Sequence, residues 1–313
     1  VANNLDNIKK TAYEAFYTRL GSAVTNYTEV GADVVMNTDT ATLQVYNSFG
    51  ITHFGAQTGG TDPTAEDIFS AKSTVTSTAY EKLVRVTETD AMDNPELLPE
   101  LARQMADAGA SSIANAFWTT VGGLHNADHP NTFKVDSGEG AIKFIDDDQN
   151  KIRVGGVDKV ILSQSNKLSA ALSSSSLNSA RATLQAWKND AGLPINPDMS
   201  NENLCLVVPA ALAATGKDLV MQDAPFYASD LASSVSAFGG MSLVVAPYLD
   251  GIDANNWFLF HKSYSPVRIW IRKAPTIRIT TLPDTGHISV YASGNWNTVL
   301  MPHEMGVVAS IVA

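Results

Sequence analysis

Asp93-Asn94-Pro95-Glu96 opens a helical pattern that runs through Leu98, Leu101, Met105, Ser112, Ala116 and Phe117 and stops at Gly122-Gly123. Asn94 can cap the first turn, Pro95 fits a position where no N–H is needed, and Glu96 faces the positive end of the helix dipole. The spacing predicts one helix over 95–121. At ~1.5 Å per residue it is roughly 40 Å long, beyond most helices of globular domains. Just upstream, Lys82-Leu83-Val84-Arg85-Val86-Thr87 alternates and reads as a strand.

Further upstream, Phe49, Ile51 and Phe54 precede a glycine-rich tip, Gly55-Ala56-Gln57-Thr58-Gly59-Gly60, and a Thr/Ser-rich return follows from Ser70 to Thr78. This suits a long hairpin over 47–79 that projects from the body. A projecting hairpin exposes sheet edges, a liability that a neighbouring subunit would remove. Residues 21–46 are rich in Thr, Val and Asn without a clean period and read as an extended arm. Before it, Leu5, Ile8, Ala12, Phe16 and Leu20 recur at helical spacing.

Downstream of the long helix, residues 124–170 are polar and turn-rich, with short strands expected at 141–145 and 152–162. A second amphipathic helix follows through Leu177, Ala180, Leu184 and Trp187, ended by Gly192 and Pro194. Then come a buried strand (204–208), a helix after Pro209, and buried strands at 241–246 and 257–261. Strands separated by a helix point to a small α/β layer. The chain ends in strands at 267–272, 276–281 and 287–292 and a tail over 305–312.

Of the 313 residues 44% are hydrophobic and only 17% charged, with Ser, Thr and Asn filling the gap. That suits a surface mostly covered by neighbours, because interface cores are depleted in charge. The formal net charge of -11 disfavours nucleic-acid binding, which rests on Lys and Arg, and no basic run is present. A container of DNA would gain from such a wall, since packed DNA must slide. The single cysteine, Cys205, rules out an internal disulfide framework and any cysteine-based zinc site. It lies in Leu204-Cys205-Leu206-Val207-Val208 and reads as a buried small hydrophobe. No stretch approaches the length of a membrane span, and no signal peptide is recognisable. The first residue, Val1, fits either a chosen start or proteolytic removal of a leading segment.

No motif in the sequence marks a catalytic, cofactor-binding or metal residue. Thr215-Gly216-Lys217 lacks the upstream glycine spacing of a phosphate loop. His125 and His129 share a helix-like spacing, but Gly122, Gly123 and Pro130 make the segment a polar turn. Asp146-Asp147-Asp148 lacks the glycine and downstream glutamate of a calcium loop. His53, His261, His287 and His303 are scattered singly, and Trp187, Trp257 and Trp270 fall on core patterns.

The order arm, projecting hairpin, very long helix, α/β layer and returning strands resembles the α+β capsid fold of tailed-phage major head proteins and encapsulins. Two passages carry the likeness further, Tyr80–Val86 running through Asp90 to Pro95, and 204–209 with 241–250 and 257–260. Both resemble the major head subunits of Mu-like phages. The resemblance implies an N-terminal arm over 1–46, an E-loop over 47–79 and a P-domain over 80–170 with its spine helix at 95–121. It further implies an A-domain over 171–265, with 266–313 returning to complete the P-domain. It implies a non-enzymatic shell subunit without a cofactor, assembled in the host cytoplasm into the virion. The subunit would form hexamers and pentamers of an icosahedral shell, joined by a portal and by cement or decoration proteins. The shell would hold DNA without sequence-specific contacts and without a membrane. Loss of an N-terminal scaffolding segment would permit expansion from a procapsid. Some relatives crosslink an E-loop lysine to a neighbour's asparagine; Lys72 is the only lysine of the hairpin, and a solvated loop lysine is its commoner role. The alternatives are an encapsulin enclosing a cargo protein and a soluble α/β hydrolase.

Overall fold

Leu5, Ile8, Ala12 and Phe16 fall one to two turns apart, and α1 (Ala2–Ser22) buries all four. The computed structural model describes residues 2–22, 26–32, 34–36, 40, 42–49, 69–127, 143–145, 151–154, 157–160, 165–187, 198–220, 238–282, 285–301 and 306–312. After α1 a 3-10 turn (Asn26–Val30) buries Tyr27 and Val30 and leads to Gly31 at φ +75°. A Cβ there would collide with the Lys262 carbonyl, so only glycine lets the chain pass. The supposed arm then forms β1 (Val34–Met36).

β2 (Thr42–Phe49) and β3 (Phe69–Thr76) pair antiparallel from Thr42–Thr76 to Phe49–Phe69. The hairpin therefore begins at Thr42, earlier than the expected 47; its glycine-rich tip lies outside the described residues. β4 (Thr78–Thr87) continues into α2 (Glu88–Asp93), where Thr87 Oγ1 accepts from the Asp90 N–H at 3.1 Å. This corrects the expected role of Asn94. It closes α2, its N–H donating to the Asp90 carbonyl at 2.9 Å, because Thr87 and the acidic first turn nucleate a separate short helix. The long helix α3 (Leu97–Gly122) starts behind Glu96, which makes no side-chain cap bond, and ends at Gly123 as its glycines predict.

β5 (Lys151–Val154) and β6 (Val157–Val160) form a hairpin where one strand over 152–162 was expected, with Gly155-Gly156 between them in the sequence. Within 141–145 only 143–145 are described, and they bury Phe144 and Ile145 without forming a strand. β7 (Lys167–Leu168) precedes α4 (Ser174–Gln185), which Ser173 and Ser176 start with a reciprocal capping box. The glycine and proline expected to end α4 lie outside the described residues. β8 (Leu204–Val208), α5 (Ala213–Val220), β9 (Ser242–Val245) and β10 (Trp257–His261) follow, as the apolar runs predict. β11 (Val267–Leu282) is one bulged strand in place of the two expected, and β12 (His287–Leu300) and β13 (Val307–Ser310) end the chain.

Two main sheets result, a four-stranded one in the order β1-β11-β12-β4 and a five-stranded one in the order β7-β13-β10-β8-β9. α1 and the first half of α3 cover one face of the first, through Phe16, Ala102, Met105, Ile277, Ile279 and Ile288. The second half of α3 packs Ile113, Phe117 and Val121 into the core shared by both sheets. The five-stranded sheet is buried on both faces: Cys205, Val207, Phe258 and Phe260 face the shared core, while Leu206, Trp257, Leu259 and Val308 face α4 and α5. Double burial explains why its strands read as unbroken apolar runs. The last strand, β13, pairs with β10 and so joins this second sheet.

Candidate assembly surfaces

The candidate residues that the structure describes lie apart from one another. His125 follows α3, with Nε2 2.8 Å from Asn126 Nδ2, and His129 and Asp146–Asp148 lie outside the described residues, as do His53 and His303. His261 is buried on β10 and donates from Nε2 to the Asp198 carbonyl at 2.9 Å, a structural tie between β10 and the loop before β8. The half-buried His287 donates from Nδ1 to the Thr285 carbonyl at 2.7 Å. Gly216 lies in α5 against Val208 and Leu243, where a Cβ would meet Leu243 at 3.0 Å; it is a packing glycine. Trp187, Trp257 and Trp270 are core residues. Burial pushes the Cys205 thiol up to about 12, with Lys262 pulling weakly the other way. Lys72 sits on β3 opposite Tyr46. Among the described residues no three His, Cys, Asp or Glu side chains gather to hold a metal ion, and no helix is long and apolar enough to cross a membrane.

Two open clefts border α3. One, of about 380 Å³, lies between the end of α1, α3 and the 3-10 turn Pro247–Leu249. Trp118 and Tyr248 line it, and so does the Arg19–Asp107 ion pair at 2.7 Å that ties α1 to α3. Asp107, by hydrogen bond and charge, raises the Arg19 guanidinium further above its ordinary range. The other, of about 270 Å³, lies between α3 and the four-stranded sheet. There Tyr80 stacks on Trp296 with ring centroids 4.3 Å apart, over Gly294, where a Cβ would strike the Trp296 ring at 2.5 Å.

The exposed features are instead those of a chain that meets others. Among the described residues β1 and β4 are the edge strands of the four-stranded sheet, each paired on one side only. Met36 on β1 is 62% exposed and Leu83 on β4 is 49% exposed. Tyr17 on α1 and Ile252 beside the end of α3 are also exposed. Unpaired strand edges and apolar surface are where proteins associate. The sequence carries a signal for one of these: Val84 and Val86 alternate as a buried face, and Leu83 falls out of phase with them.

A family profile described as phage capsid protein matches residues 70–308, from β3 to β13. No curated protein matches the sequence. Among solved structures, the chain is similar to the capsid of the cyanophage P-SCSP1u, with TM-score 0.58 and 12% identity over 93% of this chain and 88% of that one. The mature capsid of bacteriophage PhiM1 gives TM-score 0.57 and 11% identity over 91% and 86%. The virus-like particle from Pyrococcus furiosus gives 0.53 and 8% over 96% and 98%. At these identities the likeness is one of fold, the capsid fold shared by tailed phages and encapsulins. The family match spans well over half of the chain and takes in α3, β4 and β7 to β12, so the chain belongs to the phage capsid protein family and is a structural shell protein.

Proposed function

We propose that this chain is the major capsid subunit of a tailed phage with a Mu-like head, a virion component without catalytic activity. Copies associate through hexamers and pentamers into an icosahedral shell around DNA. The hairpin β2–β3 serves as the E-loop, α3 is the spine of a P-domain, and residues 171–265 form the A-domain around the local symmetry axes. A hairpin edge laid over a neighbour is no longer exposed, and heterologous contacts of this kind close into rings. Portal and decoration proteins join the shell in the host cytoplasm. The observation that carries the reading is the phage capsid family match over 70–308.

Negative-stain electron microscopy of the purified chain tests it. Closed particles, rings or sheets of capsomers are expected. A stable monomer at micromolar concentration would overturn the reading and bring back a soluble α/β enzyme. Particles that hold a protein cargo and no nucleic acid would replace the phage head by an encapsulin-type compartment.

A further inference from the structure

β11, β12 and β4 turn Ile277, Ile279, Ile288, Val290, Val84 and Val86 toward α1 and α3. Alternation sends the residues between them to the opposite face. The strand register sets three rows there: Thr276–Ser293–Glu81, Arg278–Tyr291–Leu83 and Thr280–Ser289–Arg85. Arg278, Arg85, Leu83 and Glu81 are exposed. Lys273 joins them, its Nζ donating to Ser293 Oγ at 3.0 Å. Three cations thus share this face with one carboxylate, on a chain whose net charge is -11. Among the described residues neither Arg85 nor Arg278 forms an ion pair.

The same sheet ends in the opposite charge. From Glu88 to Glu100 the sequence carries Glu88, Asp90, Asp93, Glu96 and Glu100 and no base. Glu100 pairs with Arg103 at 3.0 Å, which leaves Asp90, Asp93 and Glu96 exposed without a cation among the described residues. The turn that bears them is firmly held, because Thr87 caps α2 and the Glu88 N–H donates to the Gly286 carbonyl at 2.8 Å.

We propose that the acidic turn Asp90–Glu96 of one copy docks on the cationic sheet face, Arg85, Arg278 and Lys273, of the next. The occupant follows from charge complementarity. The chain carries both halves, and no described ion pair joins them within one copy. Because the two patches differ, the contact is heterologous and propagates around a symmetry axis. Copies that repel through their net charge need such local attraction to set their register. The inference rests on the reading that copies assemble into a shell.

The test compares the unaltered chain with Arg85→Glu/Arg278→Glu and with that pair combined with Asp90→Arg/Asp93→Arg. All altered positions are exposed, and circular dichroism checks that each variant folds. By light scattering and electron microscopy, the double reversal should raise the concentration needed for assembly about tenfold or more. The charge-swapped variant should recover most of that loss, and 1 M salt should weaken assembly of the unaltered chain. Assembly unaffected by the reversal overturns the inference while the shell reading stands. Loss without recovery by the swap also overturns it, since the acidic turn is then not the occupant. Intact shells that release bound nucleic acid on reversal would assign the face to phosphate instead. If the unaltered chain forms no assembly at all, the shell reading itself falls.

Discussion

Cys205 shows how much a single residue's surroundings determine. It lies on β8 in the shared core, fully buried, and its thiol is pushed up to about 12 from an ordinary value of 9.0. The folded state therefore keeps the proton that the unfolded chain gives up above about pH 9. Between about pH 9 and about pH 12 the unfolded state binds fewer protons, so stability falls as pH rises. The expected decline from this group is up to about 1.4 kcal/mol per pH unit, present in the unaltered chain and absent in Cys205→Ala. Urea unfolding of dissociated subunits across that range measures it; identical slopes would refute the burial argument. The flanking run Leu204–Val208 made this residue legible in the sequence, since an unbroken apolar strand leaves a thiol nowhere polar to go. The cationic sheet face was not legible. Arg85 lies nearly two hundred residues before Lys273 and Arg278 in the chain, and only the register of β4, β12 and β11 brings it beside them.

Among the elements, α1 is the clearest case of a pattern that predicts its own burial. Its apolar residues lie on one stripe, and that stripe seals α3 and the four-stranded sheet. Phe16 sits at its centre with no exposure, while Tyr17 beside it is 50% exposed. Phe16→Ala should cost about 3–5 kcal/mol, because the cavity cannot collapse between two rigid helices and a sheet. Tyr17→Ala should cost under about 1 kcal/mol, as for most exposed positions. Denaturant unfolding of dissociated subunits separates the two, and equal losses would mean that α1 is not held as described. Periodicity also located α3 and α4, and unbroken apolar runs located strands β8 to β10. It failed where a local competitor acted: Thr87 and the acids after it formed α2 and took Asn94 as its end. It split β11 in two because bulges between Ile271 and Thr276 reset the alternation without ending the strand.

At the scale of the whole molecule, the order of elements was readable but their partners were not. Nothing local in Val34–Met36 announces a parallel partner more than two hundred residues away, and nothing in Val307–Ser310 announces β10. Long-range pairing is decided by which edges remain free once the cores close. The base of the β2–β3 hairpin, through Leu43 and Val75, packs on Trp270 and Val299. Shortening the hairpin beyond that base tests whether folding and assembly separate. Gln44 faces Thr74 in the register, so replacing residues 45–73 by Asn-Gly joins that pair through a two-residue turn and keeps the base intact. The shortened chain should melt within a few degrees of the unaltered one, about the shift that 1 kcal/mol produces in a chain of this size. It should fail to form particles, because the edge proposed to lie over the neighbour is gone while the cores are not. Scanning calorimetry and electron microscopy on the same sample decide it. Normal particles would place the assembly contacts in the sheets alone, and a collapsed melting transition would make the hairpin part of the fold.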